Sequence, residues 1–396
     1  MNERSNYERR LSIIKIKKFS KPIYVTSPFL PPFQEFSRLI EQIWENRYLT
    51  NNGLLHQQFE MEARKYLGVE KNTLFVNGHM ALDIAIKSLR LTGEVITTPF
   101  TFASTTHAIS MNGLIPVFCD VNKHDYNLDV SKIESLITEH TSAIIPVHVF
   151  GTPCDVYEIE RIAKKYNLKV IYDAAHAFGV KVDGKGIGVF GDISMFSMHA
   201  TKVFHSIEGG ILTYHDETLS EALNQYKNFG YKSSGEVSLV GLNAKMNEFQ
   251  AAMGILNLRH INEEINRRKK ITSMYRNQLK SIPGIRFIEE MENVQYNYSY
   301  FSIEVDEAIY GLDRNQLYER LMSYNVFTRK YFSPLTSDFI CYKDQYDSGK
   351  TPIAKEIANK VLVLPLYGEL QVGDVEKICM IIKTIPELVE LEWEKD

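Results

Sequence analysis

Between Ile23 and Leu258, short apolar runs alternate with segments of helical periodicity, and this alternation limits the fold more than any other property of the chain. The runs EVITTPF, SAIIPVHVF, LKVIYDAAH and DISMFSMH are rich in Val and Ile. Such runs suit strands covered on both faces, as in a mostly parallel sheet. Between them lie helical segments such as VYEIERIAKKYN, with Asp155 just before as an N-cap. Strand and helix in alternation predict a doubly wound α/β sheet. After Asn243 the texture changes. NEFQAAMGILNLRHINEEINRRKKITSMYRNQLK reads as one long helix, or two joined by a kink, able to connect two domains. Beyond Ile285 come shorter strands such as FSIEV, an aromatic-rich irregular stretch and a final helix after Gly373. The expected organisation is a tail over 1–20, a large domain over 21–265 and a smaller domain over 266–396.

Charge and cysteine usage remove several function classes. A formal net charge of −4 gives no electrostatic reason to expect nucleic acid or an anionic membrane as partner. Cys119, Cys154, Cys341 and Cys379 are far apart, so no zinc ribbon or redox motif is expected. Free thiols in a reducing cytosol are the simplest reading, which makes the expected location cytoplasmic. No stretch reaches the roughly 20 apolar residues of a membrane span. The first 20 residues are rich in Arg and Lys and lack the apolar run of a signal peptide. They are expected to form a tail, loose or laid on a partner subunit.

Ligands of open α/β sheets bind beyond the carboxyl ends of the strands, and four candidates fall there. Asn77-Gly78-His79 follows TLFV and opens a helix. It fits an Asn-capped helix, and equally a phosphate held on free amides with glycine permitting close approach. In TTPFTFASTTHAI, Phe102 is either core or a ring face for a planar ligand. Asp173 ends LKVIY and precedes AAHAFG. It reads as an N-cap, or as a buried carboxylate that needs a partner to offset desolvation, such as a protonated ring nitrogen. His176, one helical turn on, would share its face.

The fourth candidate is SMFSMHATKVFHSIEGG, where His199, Lys202 and His205 stand at equal spacing. Lys202 follows an apolar strand and sits among Ser197, Thr201 and two glycines. A desolvated lysine loses part of its charge and forms a Schiff base with aldehydes. A metal hydrolase would need a third ligand and second-shell partners, which no further His or Cys spacing supplies; no metal is expected. A phosphate cradle, a flat aromatic, a buried carboxylate and a Schiff-base lysine together fit pyridoxal 5′-phosphate.

From about Lys21 to its end the chain resembles the DegT/DnrJ/EryC1/StrS family of pyridoxal-phosphate-dependent sugar aminotransferases. The shared wording is NGHMAL, TTPFTFAST, PVHVFGTPCD, IYDAAHAFG, SMHATKVFHSIEGG, GLNAKMNEFQAAMG and VLPLY, and the 29-residue separation of Asp173 and Lys202 also suits the family. Members that aminate dTDP-4-keto-6-deoxyglucose share HATKVF and KMNEFQAA. The resemblance implies the type I, aspartate aminotransferase-like fold, with a mostly parallel central sheet and a smaller C-terminal α+β domain. It implies transfer of an amino group from L-glutamate, leaving 2-oxoglutarate, to a keto group of a nucleotide-linked keto-deoxy sugar, for precursors of surface polysaccharide such as O-antigen, lipopolysaccharide or capsule.

Residue by residue, the resemblance implies that Lys202 carries the Schiff base. Asp173 pairs with the ring nitrogen, and His176 lies near the ring hydroxyl. Phe102 stacks on the ring. Gly78, His79 and Ser197 hold the phosphate. In a homodimer with shared active sites, Asn243 reaches the phosphate of the neighbouring cofactor, and Lys245 lies near the substrate there. Tyr331 and His205 approach the substrate. Members often carry Thr where His79 stands and Arg where Lys245 stands, and lysine cannot grip phosphate in the bidentate way of arginine. A small phosphorylated ketone such as dihydroxyacetone phosphate, or amination at C3 of the sugar, would use the same machinery. Dehydratases of this family replace the Schiff-base lysine by histidine, but the register of SMHATK puts Lys202 at that position. A cofactor-dependent transcription regulator would bring a DNA-binding domain, for which a 20-residue tail is too short.

Overall fold

The computed structural model describes residues 16–342 and 344–393. Seven strands form the central sheet: β1 (Lys71–Phe75), β2 (Glu94–Thr97), β3 (Ile115–Phe118), β4 (Thr141–Ile145), β5 (Lys169–Asp173), β6 (Ile193–Ser197) and β7 (Gly210–Tyr214). Their order is β1-β7-β6-β5-β4-β2-β3. Every pairing is parallel except the two made by β7. Successive side chains enter cores on opposite faces. Ile96, Ile144, Val170, Tyr172, Phe196 and Ile211 pack on one side, and Val95, Ile145, Ile171, Met195 and Leu212 on the other. Burial on both faces explains why the strands read as unbroken apolar runs.

Helices α1 (Phe33–Asn46), α2 (Leu54–Leu67), α3 (Gly78–Ser88), α4 (Ala103–Met111), α5 (Val156–Tyr166) and α6 (Thr218–Tyr226) cover the sheet. Asn77 caps α3 and Asp155 caps α5, each accepting a backbone N–H three residues on. The long amphipathic segment is a single helix, α7 (Glu248–Leu279), opened by a capping box between Asn247 and Gln250. Its first half, to Ile265, packs into the sheet core. From Ile271 on it packs into a second core built on β8 (Ile285–Arg286), β9 (Phe301–Val305) and β10 (Val361–Leu364), an antiparallel sheet. Helices α8 (Arg314–Ser323), α9 (Pro352–Lys360) and α10 (Val372–Trp393) complete this unit.

Residues 1–15 of the expected tail lie outside the described residues. Phe19 and Ile23 belong to the second core, and Phe19 exchanges hydrogen bonds with Tyr324 and Asn325. One local expectation fails. AAHAFG after Asp173 is a pair of turns and not a helix, so Asp173 caps nothing. Its carboxylate is instead engaged by Thr105 of α4 and by the Ala175 amide.

Two sets of contacts fix the second unit over the carboxyl edge of the large sheet. Asp120 accepts from the Ile353 and Ala354 amides at the start of α9 (3.2 and 2.8 Å). Thr336 donates its amide to the Pro99 carbonyl (3.0 Å), and its hydroxyl meets Thr106 (2.9 Å). The aromatic stretch around Tyr331 is thereby held above the ends of β1, β2, β5 and β6.

Candidate active site

A cavity of about 650 Å³ opens at that edge. Its walls include Gly78, His79, Phe102, Asp173, His176, Ser197, Lys202 and Tyr331, so eight of the residues singled out from the sequence converge on one space. The topology explains the convergence. β1, β5 and β6 run in the same direction, so Asn77 and Gly78 just past β1, Asp173 at the end of β5 and Ser197 at the end of β6 face the same crevice.

The cradle at the start of α3 is tight. A Cβ on Gly78 would lie 3.0 Å from the Ser197 Cβ and 3.2 Å from its Oγ. Glycine therefore lets the first turn of α3 sit against the Ser197 hydroxyl. Asn77 takes the Met80 amide (2.8 Å), which leaves the first amides of the helix as anion donors. The His79 ring turns aside to Ser104 Oγ (2.9 Å).

Asp173 is 4% exposed. Thr105 Oγ1 donates to its Oδ2 (2.7 Å) and the Ala175 amide to its Oδ1 (3.1 Å). Burial pushes its carboxyl above the usual range, while these two donors and the Lys202 charge pull it back. His176 accepts the Phe150 amide at Nδ1 (3.2 Å). Burial and then the Lys202 charge hold the imidazole well below its usual pKa. A neutral ring that accepts at Nδ1 carries its proton on Nε2, so His176 is a donor there. Its ring is stacked with Phe150 and Phe332 and meets Tyr300 edge to face, within an aromatic wall.

Burial lowers the Lys202 pKa to about 8, against the opposing pull of Asp173 and Tyr331. Its Nζ lies 5.8 Å from the centre of the Tyr300 ring. The backbone turns tightly here, with the Lys202 amide bonded to the His199 carbonyl (2.9 Å). His199 pairs with Thr201 Oγ1 through Nδ1 (2.8 Å) and with Glu208 through Nε2 (3.3 Å).

The equal spacing of His199, Lys202 and His205 has no counterpart in space. His205 is 2% exposed and does not line the cavity. Its Nε2 lies 2.7 Å from the Phe29 carbonyl, and Asn257 donates to its backbone (2.8 Å). Asn243 and Lys245 do not line the cavity either; Lys245 Nζ donates to Asn243 Oδ1 (2.9 Å) and lies over the Phe229 ring (4.7 Å). Around them Phe229, Tyr231, Val237 and Val240 are exposed. Sequence reasoning missed Thr105, Glu208 and Tyr300. TTPFTFAST did signal a hydroxyl cluster, but which hydroxyl meets Asp173 follows from the start of α4. Among the described residues, no cluster of three or more His, Cys, Asp or Glu could hold a metal ion, and no helix is long and apolar enough to cross a membrane.

The sequence profile of the DegT/DnrJ/EryC1/StrS aminotransferase family matches residues 33–383. A dTDP-4-amino-4,6-dideoxy-D-glucose transaminase of Shigella dysenteriae is 44% identical over 365 residues, covering 92% of this chain and 99% of that protein. A GDP-perosamine synthase of Escherichia coli O157:H7 is 31% identical, covering 86% and 92%. The crystal structure of DesI in the presence of its TDP-sugar product superposes with a TM-score of 0.90 at 31% identity, over 96% of this chain and 98% of that one. The chain belongs to the DegT/DnrJ/EryC1/StrS aminotransferase family. It is a transaminase with the type I fold, and the family's cofactor is pyridoxal 5′-phosphate. The residues present fit that group: a cradle that a Cβ at Gly78 would crowd, a Phe102 ring 61% exposed, a buried carboxylate and a lysine of lowered pKa.

Proposed function

We propose that the chain transfers the amino group of L-glutamate to the keto carbon of a nucleotide-linked keto-deoxy sugar, dTDP-4-keto-6-deoxyglucose being the acceptor, in a pathway to surface polysaccharide. The observation that carries the reading is the 44% identity with the Shigella dysenteriae transaminase across almost the whole of both chains, around a cavity with the lysine and carboxylate in place. A second copy of this chain completes the site. This is supported by Asn243 and Lys245, polar groups set among exposed apolar side chains and outside the lining of the Lys202 cavity of their own chain.

Gly78, His79 and Ser197 would hold the cofactor phosphate, Phe102 one face of the ring, Asp173 the ring nitrogen and His176 the ring hydroxyl. Pyridoxal phosphate supplies an aldehyde for the amino group and a protonated ring that takes up the electron pair left when a proton leaves carbon. Asp173 keeps the proton on the ring nitrogen, because its carboxylate is too buried to be left without a cation. His176 donates from Nε2 and stays neutral, adding no charge beside Lys202. Lys202 Nζ, its pKa lowered by burial, would take the proton from the α-carbon of glutamate and pass it to the former aldehyde carbon of the cofactor, and would move a proton in the opposite sense when the keto sugar is aminated. Phe332 and Tyr300, which line the cavity, present apolar ring surface to that exchange.

The test is to treat the holoenzyme with glutamate, remove the 2-oxoglutarate, and offer a panel of keto nucleotide sugars and small keto phosphates including dihydroxyacetone phosphate. The acceptor that restores the visible band of the lysine-bound cofactor is the substrate. Restoration by dihydroxyacetone phosphate alone would overturn the sugar assignment. Lys202→Ala is expected to abolish both band and turnover; retention of both would remove Lys202 from its role.

A further inference from the structure

Lys227 is a deeply buried cation that the mechanism does not use. Lys227, just past α6, is 7% exposed. Its Nζ lies 3.4 Å from the Leu74 carbonyl of β1 and 5.7 Å from the centre of the Phe75 ring. The opposite charge acting on it is Glu60 of α2, a half-buried carboxylate that carries its own desolvation penalty. A lysine ammonium out of water is costly unless something requires it there.

What surrounds Lys227 indicates what it does. Its carbonyl accepts the Ala244 amide (2.9 Å), and the Ala244 carbonyl accepts the Val76 amide (2.8 Å). Asn228 bridges to Asn243, and Leu242 donates to the Tyr226 carbonyl (2.7 Å). The segment carrying Asn243 and Lys245 is therefore clamped between Lys227 and the end of β1, whose next residues are the Asn77–Gly78 cradle. From this clamp the Lys227 side chain reaches beneath the segment to the Leu74 carbonyl and the Phe75 ring of β1.

We infer that Lys227 is a positioning residue: its buried ammonium, bonded to the Leu74 carbonyl, fixes the Asn243–Lys245 segment at the height needed to reach the cofactor phosphate of a second subunit. This rests on the reading that Asn243 makes that contact. The ammonium works as a peg, because its hydrogen-bond partner in this buried place is the Leu74 carbonyl, and moving away from it would strand a charge out of water. An apolar side chain of the same length could slide.

The test is pyridoxal phosphate binding to the cofactor-free full-length protein, followed by absorbance, for the wild type, Lys227→Met, Asn243→Ala and the double variant. A hydrogen bond to a charged phosphate is worth about 10- to 100-fold in affinity. Asn243→Ala is expected to weaken binding by that factor and Lys227→Met by a comparable one. The double variant should be no weaker than Asn243→Ala alone, since Lys227 acts through Asn243. A residue that merely stabilises the fold would give losses that multiply, and that result overturns the inference. So does unchanged affinity in Lys227→Met. Unchanged affinity in Asn243→Ala overturns the reading beneath it, and the inference with it. If Lys227→Met does not fold, Lys227→Gln, which removes the ammonium and keeps a polar head, is read in the same cycle by the same criteria.

Discussion

Titrating the cofactor-free protein with an aldehyde measures the state of Lys202 directly, because only the neutral amine attacks. Burial brings the group from the ordinary 10.5 down to about 8. At pH 7 an ordinary lysine is neutral in about one molecule in 3,000, whereas one at about 8 is neutral in about one in ten. The neutral fraction thus rises about 300-fold from the environment alone. Free pyridoxal, which lacks the phosphate, reports on the amine without the grip of the cradle. Its rate of capture should climb about tenfold per pH unit and level off near 8. Subtracting the Lys202→Ala signal removes other lysines. Asp173 is the largest influence holding the Lys202 pKa up against burial. Asp173→Asn should therefore move the midpoint to lower pH and speed capture at neutral pH, even as catalytic turnover collapses for want of a ring proton. A midpoint near 10.5 in the wild type, or a rise in Asp173→Asn, would refute the electrostatic account of the site.

Thr105→Val removes the 2.7 Å bond to Asp173 and should cut kcat by about tenfold, with the cofactor still bound, the loss matching about one charge-assisted hydrogen bond; unchanged kcat in steady-state assays would show the bond to be incidental. Gly78→Ala places a methyl 3.0 Å from Ser197, and should weaken cofactor binding while leaving the thermal midpoint nearly unchanged. Arg268 and Glu264 form an ion pair 1% and 3% exposed, and Arg268 also serves the Ser299 and Leu366 carbonyls. Arg268→Met leaves Glu264 buried without its partner and should cost about 3–5 kcal/mol in urea unfolding. His56 is held at about 3 by burial, below its value in the unfolded chain. The unfolded state thus binds the extra proton between pH 6.5 and about 3, and stability falls as pH is lowered through that window. His56→Leu should flatten that limb of a urea-midpoint profile.

The parts of the site visible in the sequence are those that sit where a strand stops. Asp173 and Lys202 are polar groups following apolar runs, and burial on both faces of the sheet makes any such group exceptional. The cap at Asn77 was legible as local pattern, and so was helix over the α7 segment, though the pattern left one helix or two joined by a kink open. What could not be read is whatever another element delivers. Thr105 meets Asp173 because α4 begins four residues after Pro99, and Tyr300 reaches Lys202 from the second unit. His205 misled because spacing along a chain carries no direction: three residues past Lys202 the backbone has turned beneath the Phe29 segment. The expected helix after Asp173 failed because its carboxylate is taken by a side chain from α4 and an amide two residues on, which stabilise a turn.

Helix α7 bears on how such a protein can be recombined. Its first half is core to the sheet and its second half core to the smaller unit, and the chain start at Phe19 and Ile23 is also committed to the latter. There is no seam at which one unit can be exchanged for that of a relative by a single junction. A chimera cut before Glu248 strips the sheet of Ala251, Ala252 and Ile255; one cut after Leu279 imports a sheet and discards the ridge of Ile271 and Tyr275 on which it rests. A graft that respects the packing needs its main crossover inside the helix, between Ile265 and Ile271, and a second near the amino terminus. Inheritance of substrate preference by whole-unit exchange is therefore difficult in this architecture, and variation is left to the residues that line the cavity.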